Sequence, residues 1–375
     1  MVRTAHSAES SVSQRRSASG VRAKRWFRAI VGLAAIGMVA SACGDDDSAN
    51  TSSSSASASS SAQQVSPEWQ AILTAADQEG RVVVYSSTTP GTNERITKAF
   101  QALYPKIKVE FVIQRGAQAA ATLETERAAR SDGGDIILGT QQPLIQGLGK
   151  SGGLIALKGP NFESWPSEYR ISEFLPVLMV EPFLLAYNKN LVTTPPKTPQ
   201  DLLLPEYDGQ LAIVPVTNET YQGFAGWVEQ HYGREYFEKM AKLSPNIVES
   251  ATPAVQSVAA GENLATIWAT SSNVADLLAQ GAPIGTVQPE PYFGYQFSGG
   301  VLEWARRPAA AQVMMNFLMS TEGQRAWVGD YQQGASPLSV EGSLKIGAID
   351  IFDSPDYPPA RLADIVAMYN SIFGT

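Results

Sequence analysis

The sequence predicts an α/β protein of two lobes, each a mixed, mostly parallel sheet flanked by helices, joined by a two-strand hinge. Three observations predict it. Strand, polar loop and helix recur in series from Arg81 onward. A second series of the same kind follows residue 209, and apolar runs at 183–190 and 294–304 bracket it as two crossings between lobes. Serial strand-loop-helix units give parallel sheets whose loops gather along one edge.

The opening unit is Arg81-Val-Val-Val-Tyr85, a β-branched run suited to a strand buried on both faces. Ser86-Ser-Thr-Thr-Pro-Gly-Thr92 then brings hydroxyls and a turn pair to Asn93, read as the N-cap of a helix with Ile96, Ala99, Phe100 and Leu103 on one side. Before this unit, Pro67, Trp69, Ile72 and Leu73 mark a first short helix. After it, Lys108–Ile113 is a strand leading through Arg115 into a helix to about Arg130. Asp135-Ile-Ile-Leu138 is a third strand, whose loop Gly139-Thr-Gln-Gln-Pro143 opens a brief helix ending at Gly152-Gly153. Three polar loops thus face one crevice.

In the second series, Gly209–Val214 feeds Pro215-Val-Thr-Asn-Glu-Thr-Tyr221, and a helix to Tyr232 stops at Gly233. An amphipathic helix ends at Gly261, Leu264–Trp268 is a strand, and Ser271-Ser-Asn273 opens another helix. Beyond the return crossing, helices from Pro308 to Met319, around Thr321–Trp327 and to about Phe373 are expected to pack back on the first lobe. The two crossings divide the chain into residues 66–185 plus 300–375 for lobe 1 and 186–299 for lobe 2.

The N-terminus reads as an export signal over residues 1–42: basic Lys24-Arg-Trp-Phe-Arg28, apolar Ala29–Val39, then small residues before Cys43, the only cysteine. The apolar run is shorter than the roughly 20 residues a spanning helix needs. Residues 43–65, rich in Ser and Ala, read as a flexible tether. Seven of the 28 basic residues but one of the 36 acidic residues precede Cys43, so the whole-chain charge of −8 becomes about −14 after cleavage. That acidity argues against nucleic acid. A single cysteine permits no disulfide within the chain, and the lone mature His231 offers no zinc set.

Gly149-Lys-Ser-Gly-Gly153 fits the pattern of a serine nucleophile and is the basis of a remote secreted-hydrolase alternative. Its context is wrong, because Ser151 follows a helical stretch instead of a strand. The catalytic set is therefore none, and the protein is expected not to be an enzyme.

Val39-Ala-Ser-Ala-Cys43 resembles a bacterial lipobox, with Ala40 where Leu is commoner. Further along, Val82-Val-Val-Tyr-Ser86, Asp135-Ile136, Gly152-Gly-Leu-Ile155, Ala186-Tyr-Asn-Lys189, Pro205-Glu-Tyr-Asp-Gly209, Gly261-Glu262 and Ser320-Thr-Glu-Gly-Gln324 together resemble the solute-binding lipoproteins of bacterial ABC importers. The class is the two-lobed type 2 periplasmic-binding-protein fold, whose members bind ferric iron, polyamines, thiamine or phosphonates. The resemblance implies a monomeric Venus-flytrap clamp without cofactors, anchored to the cell membrane by palmitate and other lipid on Cys43, that passes a small solute to permease subunits. Ferric members carry adjacent tyrosines where this chain has Thr270-Ser-Ser-Asn273, so tyrosinate iron binding is not expected.

The candidate ligand-binding residues are Ser86, Ser87, Thr88, Arg115, Thr140, Gln141, Tyr187, Thr217, Asn218, Tyr221, Ser271 and Ser272. Arg115, the one cation beside the first lobe's loops, favours a small organic anion such as a carboxylate or phosphonate. Glu219 across the cleft leaves a polyamine or thiamine-type cation as the alternative, with chelated ferric iron third. Tyr292 and Tyr295 read as hinge or rim aromatics.

Overall fold

The computed structural model describes residues 66–375 apart from 115, 289, 330–333, 345, 347–348 and 353–356. The export signal, Cys43, the tether and Arg115 lie outside the described residues.

In chain order the elements are α1 (Pro67–Glu79), β1 (Arg81–Ser86), α2 (Pro90–Leu103), β2 (Lys108–Ile113), α3 (Gly116–Ala129), β3 (Ile136–Gly139), α4 (Gln142–Lys150), α5 (Pro160–Glu163), β4 (Arg170–Ser172) and β5 (Leu175–Asn188). There follow β6 (Ala212–Ile213), α6 (Glu219–Tyr232), α7 (Arg234–Ala241), β7 (Asn246–Ile247), α8 (Ala251–Ala260), β8 (Ala265–Thr270), α9 (Ser271–Ala279), β9 (Ile284–Val287), β10 (Tyr292–Val301), α10 (Pro308–Leu318), α11 (Thr321–Val328), β11 (Ile349–Phe352) and α12 (Pro359–Phe373).

The principal sheet runs β2-β1-β3-β10-β5-β4. β1 lies between β2 and β3, parallel to both, which is why Val82, Val83 and Val84 are buried on both faces. β5 and β10 are antiparallel neighbours and form the hinge. Residues Val177–Pro182 of β5 pair with β10, whereas from Phe183 onward the same strand pairs with β8 and β9. One strand thereby serves both lobes. Sequence reading placed only its second half, because Pro176 and Pro182 interrupt the run.

A buried ion pair fastens the first lobe. Asp135, fully inaccessible, accepts from Arg307 Nε at 2.6 Å, from the Arg307 amide at 3.1 Å and from the Val83 amide at 2.8 Å. These bonds tie β1, the approach to β3 and the start of α10 together. On the second side, Phe183 stacks on Phe224 at 4.2 Å, and Trp268 meets Phe224 edge-on at 5.0 Å.

Two expectations are corrected here. The N-cap of α2 is Thr89, whose side chain accepts from the Thr92 amide at 3.3 Å, because Pro90 at the first helical position starts the helix early. Asn93 lies inside the helix, buried, and accepts from the Thr88 hydroxyl. The C-terminal helix does not pack back on the first lobe. α12 lies on α6 and α7, with Tyr369 and Phe373 against Phe237 and the Tyr369 hydroxyl donating to the Val214 carbonyl at 3.0 Å. Its Tyr369 ring meets Trp268 of the aromatic cluster edge-on at 5.8 Å.

Candidate functional site

A cavity of about 700 Å³ opens where the loops of both halves meet. Five helices of eight or more residues begin at it: α2 through Thr88, Thr89 and Thr92, α4 through Gln141, α6 through Asn218 and Tyr221, α8 through Ser250 and Thr252, and α9 through Thr270 and Ser272. A helix start leaves amide N–H groups outside the helical ladder and carries partial positive charge, so this convergence draws anionic groups.

Hydroxyls dominate the lining, and their positions follow from the cap chemistry. Asn218 Oδ1 accepts from the Tyr221 amide at 3.0 Å, and the Tyr221 hydroxyl accepts in turn from the Ala251 amide at 3.1 Å at the start of α8. Ser86 and Thr88 pair through their hydroxyls at 2.6 Å, which fixes the loop after β1. Short polar side chains are selected at such positions because they bond to the backbone two or three residues away.

Of the candidate residues, Ser87, Thr88, Thr140, Gln141, Thr217, Asn218, Tyr221 and Ser272 line the cavity. Ser86 and Ser271 are buried and do not line it. Tyr187 is not there at all. It lies on the far half of β5, with its ring over Gly285 of β9, where an added Cβ would stand 2.2 Å from the ring. Arg115 lies outside the described residues, and no described Lys or Arg lines the cavity. A cation that sequence reading passed over stands close by, however. Arg95 on α2 donates to the Thr92 hydroxyl at 3.1 Å and faces Asp276 of α9 at 3.8 Å.

The residue most clearly missed is Glu181. It sits on β5 at the change of partners, opposite Tyr295 of β10, and is 2% exposed although it lines the cavity. Its carboxylate accepts from the Ser272 amide at 2.9 Å and from the Ser272 hydroxyl, and Thr270 and Tyr295 also bond to it. Burial pushes its pKa above the ordinary carboxylate range, and those hydrogen bonds pull the other way. Of the hinge or rim reading, the hinge part matches the place of Tyr295 on β10; the residue is a buried wall of the cavity, not its rim, and burial followed by the Glu181 charge pushes its phenol up. Phe297, Trp327 and Phe352 complete an aromatic wall. A glutamate inside an apolar run was the available signal for Glu181.

No curated protein sequence matches the chain. Among solved structures, the substrate-binding protein of an ABC transporter from Agrobacterium tumefaciens aligns with a TM-score of 0.68 at 17% identity, over 80% of this chain and 97% of that one. AfuA from Actinobacillus pleuropneumoniae, a periplasmic binding protein solved with fructose-6-phosphate, aligns at 0.59 and 19% over 79% and 99%. Iron-bound HitA from Pseudomonas aeruginosa aligns at 0.56 and 20% over 78% and 99%. These likenesses are of fold, the two-lobed type 2 periplasmic binding protein. The family model for bacterial extracellular solute-binding proteins matches residues 95–345, more than half of the sequence, and on that match the chain belongs to the bacterial extracellular solute-binding protein family.

Proposed function

We propose that this protein is the solute-binding lipoprotein of an ABC import system, and that its solute is a small organic anion such as a carboxylate, phosphonate or phosphate ester. One observation carries the ligand reading: five helix starts open on a single hydroxyl-lined cavity, and among the described residues only that of α9 is engaged by a buried acid, Glu181. Arg95, bonded to the cavity-lining Thr92, adds a positive charge at the edge. The importer role is supported by family membership and by the fold shared with transporter binding proteins. Cys43 in its lipobox-like setting supports a lipid anchor outside the cytoplasm.

Binding would close the two lobes about β5 and β10 and present the loaded form to the permease. No hydrolytic arrangement is invoked, since Ser151 sits at the end of α4 with its hydroxyl donating to the Leu148 carbonyl at 3.1 Å. The test is a thermal-shift and calorimetric screen of carboxylates, phosphonates, phosphate esters, polyamines and ferric citrate. A true ligand at a hundredfold excess over its Kd adds about 2.7 kcal/mol to stability. Shifts with anions support the reading, and shifts with polyamines alone overturn it.

A further inference from the structure

Glu181 places a carboxyl group inside a cavity otherwise built to receive an anion. Its carboxylate lies on the first turn of α9 and engages the Ser272 amide there, so this helix start is already occupied by the protein's own charge. The starts of α2 and α4 carry Thr88, Thr89 and Gln141 and no lining acid; Asp276 of α9, whose carboxylate lies over Gly91 in α2, does not line the cavity and is faced by Arg95 at 3.8 Å. The cavity is therefore polarised, with an electropositive end at α2 and α4 and an electronegative end at Glu181.

Four donors from Ser272, Thr270 and Tyr295 satisfy the carboxylate's hydrogen bonding without balancing its charge, for Glu181 forms no ion pair with any described Lys, Arg or His. A buried charge lacking a counterion is costly, and a cation arriving with the solute removes that cost. The walls suit such a group. Tyr221, Tyr295, Phe297 and Trp327 line the same cavity, and aromatic faces attract ammonium groups.

We infer that the solute carries an ammonium group as well as its anionic group, and that Glu181 is the residue that reads the ammonium while the helix starts at α2 and α4 hold the anion. This rests on the proposed anion-binding reading and narrows it to small zwitterions. Glu219, exposed in the first turn of α6, lies at the same cavity but is open to water, which weakens its pull.

Calorimetry with matched pairs tests the inference: 4-aminobutyrate against butyrate, taurine against ethanesulfonate, and phosphorylethanolamine against ethyl phosphate. In the wild type the aminated member of at least one pair is expected to bind about tenfold tighter or more, the scale of a buried charge-assisted hydrogen bond. Glu181→Gln, of the same size, is expected to abolish that preference while still binding the amine-free member. Equal affinities within every pair, a preference for amine-free members, binding of no pair member, or a preference that survives Glu181→Gln each overturn it. If amine-free anions bind without any gain from the amine, the inference falls and the anion reading stands. If putrescine binds and no anion does, the anion reading is what falls. Should Glu181→Gln fail to fold, Glu181→Asp carries the test: it keeps the carboxylate but draws it back by one methylene, so the preference must narrow, and a preference unchanged or widened overturns the inference.

Discussion

Arg95 of α2 and Asp276 of α9 face each other at 3.8 Å, and the Asp276 carboxylate also lies over Gly91, where an added Cβ would stand 2.6 Å from Oδ1. The starts of both helices line the cavity, so this contact joins two of its walls. Both side chains are about a quarter to a third exposed, at 31% and 26%. A pair of that exposure contributes on the order of 0–1 kcal/mol. Asp276→Ala is therefore expected to speed solute release by up to about fivefold, with little change in the association rate. Stopped-flow release measured at low and high salt checks it, since the wild-type advantage should shrink as salt rises.

Gly91→Ala is expected to act at the same place by a different cause. A methyl against the carboxylate at that distance turns the Asp276 side chain away from Arg95 and loosens the link between α2 and α9, so affinity should fall while the unfolding temperature of the empty protein stays near the wild-type value. Calorimetric titration beside thermal unfolding separates the two effects.

Asp135 holds Arg307 in a site closed to water. Asp135→Ala removes the acceptor of three bonds and leaves the Val83 amide unpaired, while Arg307 keeps its ion pair with Asp132 at 2.8 Å and its bond to the Gly133 carbonyl, for an expected loss of about 1–3 kcal/mol. Urea unfolding measures it. Solute affinity in the surviving folded fraction should be unchanged, because Asp135 does not line the cavity.

The raised pKa of Glu181 has a fixed sign of consequence. Between the unfolded carboxylate range and its folded value, the native state holds a proton that the unfolded chain has released, so stability falls as pH rises through that window. Tyr295 faces the carboxylate and stays a neutral donor throughout, its own pKa being pushed well up. Glu181→Gln, which has no proton to lose, is expected to gain stability relative to wild type as pH increases above about 5. Thermal unfolding in a pH series checks the direction.

Tyr369 anchors α12 on α7 through Phe237 and on the loop after β6 through its hydroxyl. Tyr369→Ala should cost about 3–5 kcal/mol, as for other buried aromatics. A matching loss is expected from Phe237→Ala, and the double variant should lose less than the sum because the two rings touch.

The local grammar of the chain was legible, and its long-range partners were not. β1, its hydroxyl loop and α2 follow from a β-branched run and cap chemistry, which depend on neighbours a few residues away. The partner of α12 does not, because periodicity marks the apolar face of a helix without saying what covers it. Glu181 stayed hidden for a related reason: a charge within an apolar strand is explained only when Ser272, 91 residues later, is seen to meet it. Tyr187 was misplaced because the sequence does not show how far along β5 the cavity extends: Glu181 lines it, and Tyr187 lies in the half that pairs with β8 and β9.

β5 pairs with β10 in one half and with β8 and β9 in the other without a break in the strand. Neither half can melt and leave the other with its full complement of backbone bonds. Heating is thus expected to give one calorimetric transition, with equal calorimetric and van't Hoff enthalpies. A substitution that breaks the backbone pairing of those fourteen residues would be felt on both sides of the molecule at once.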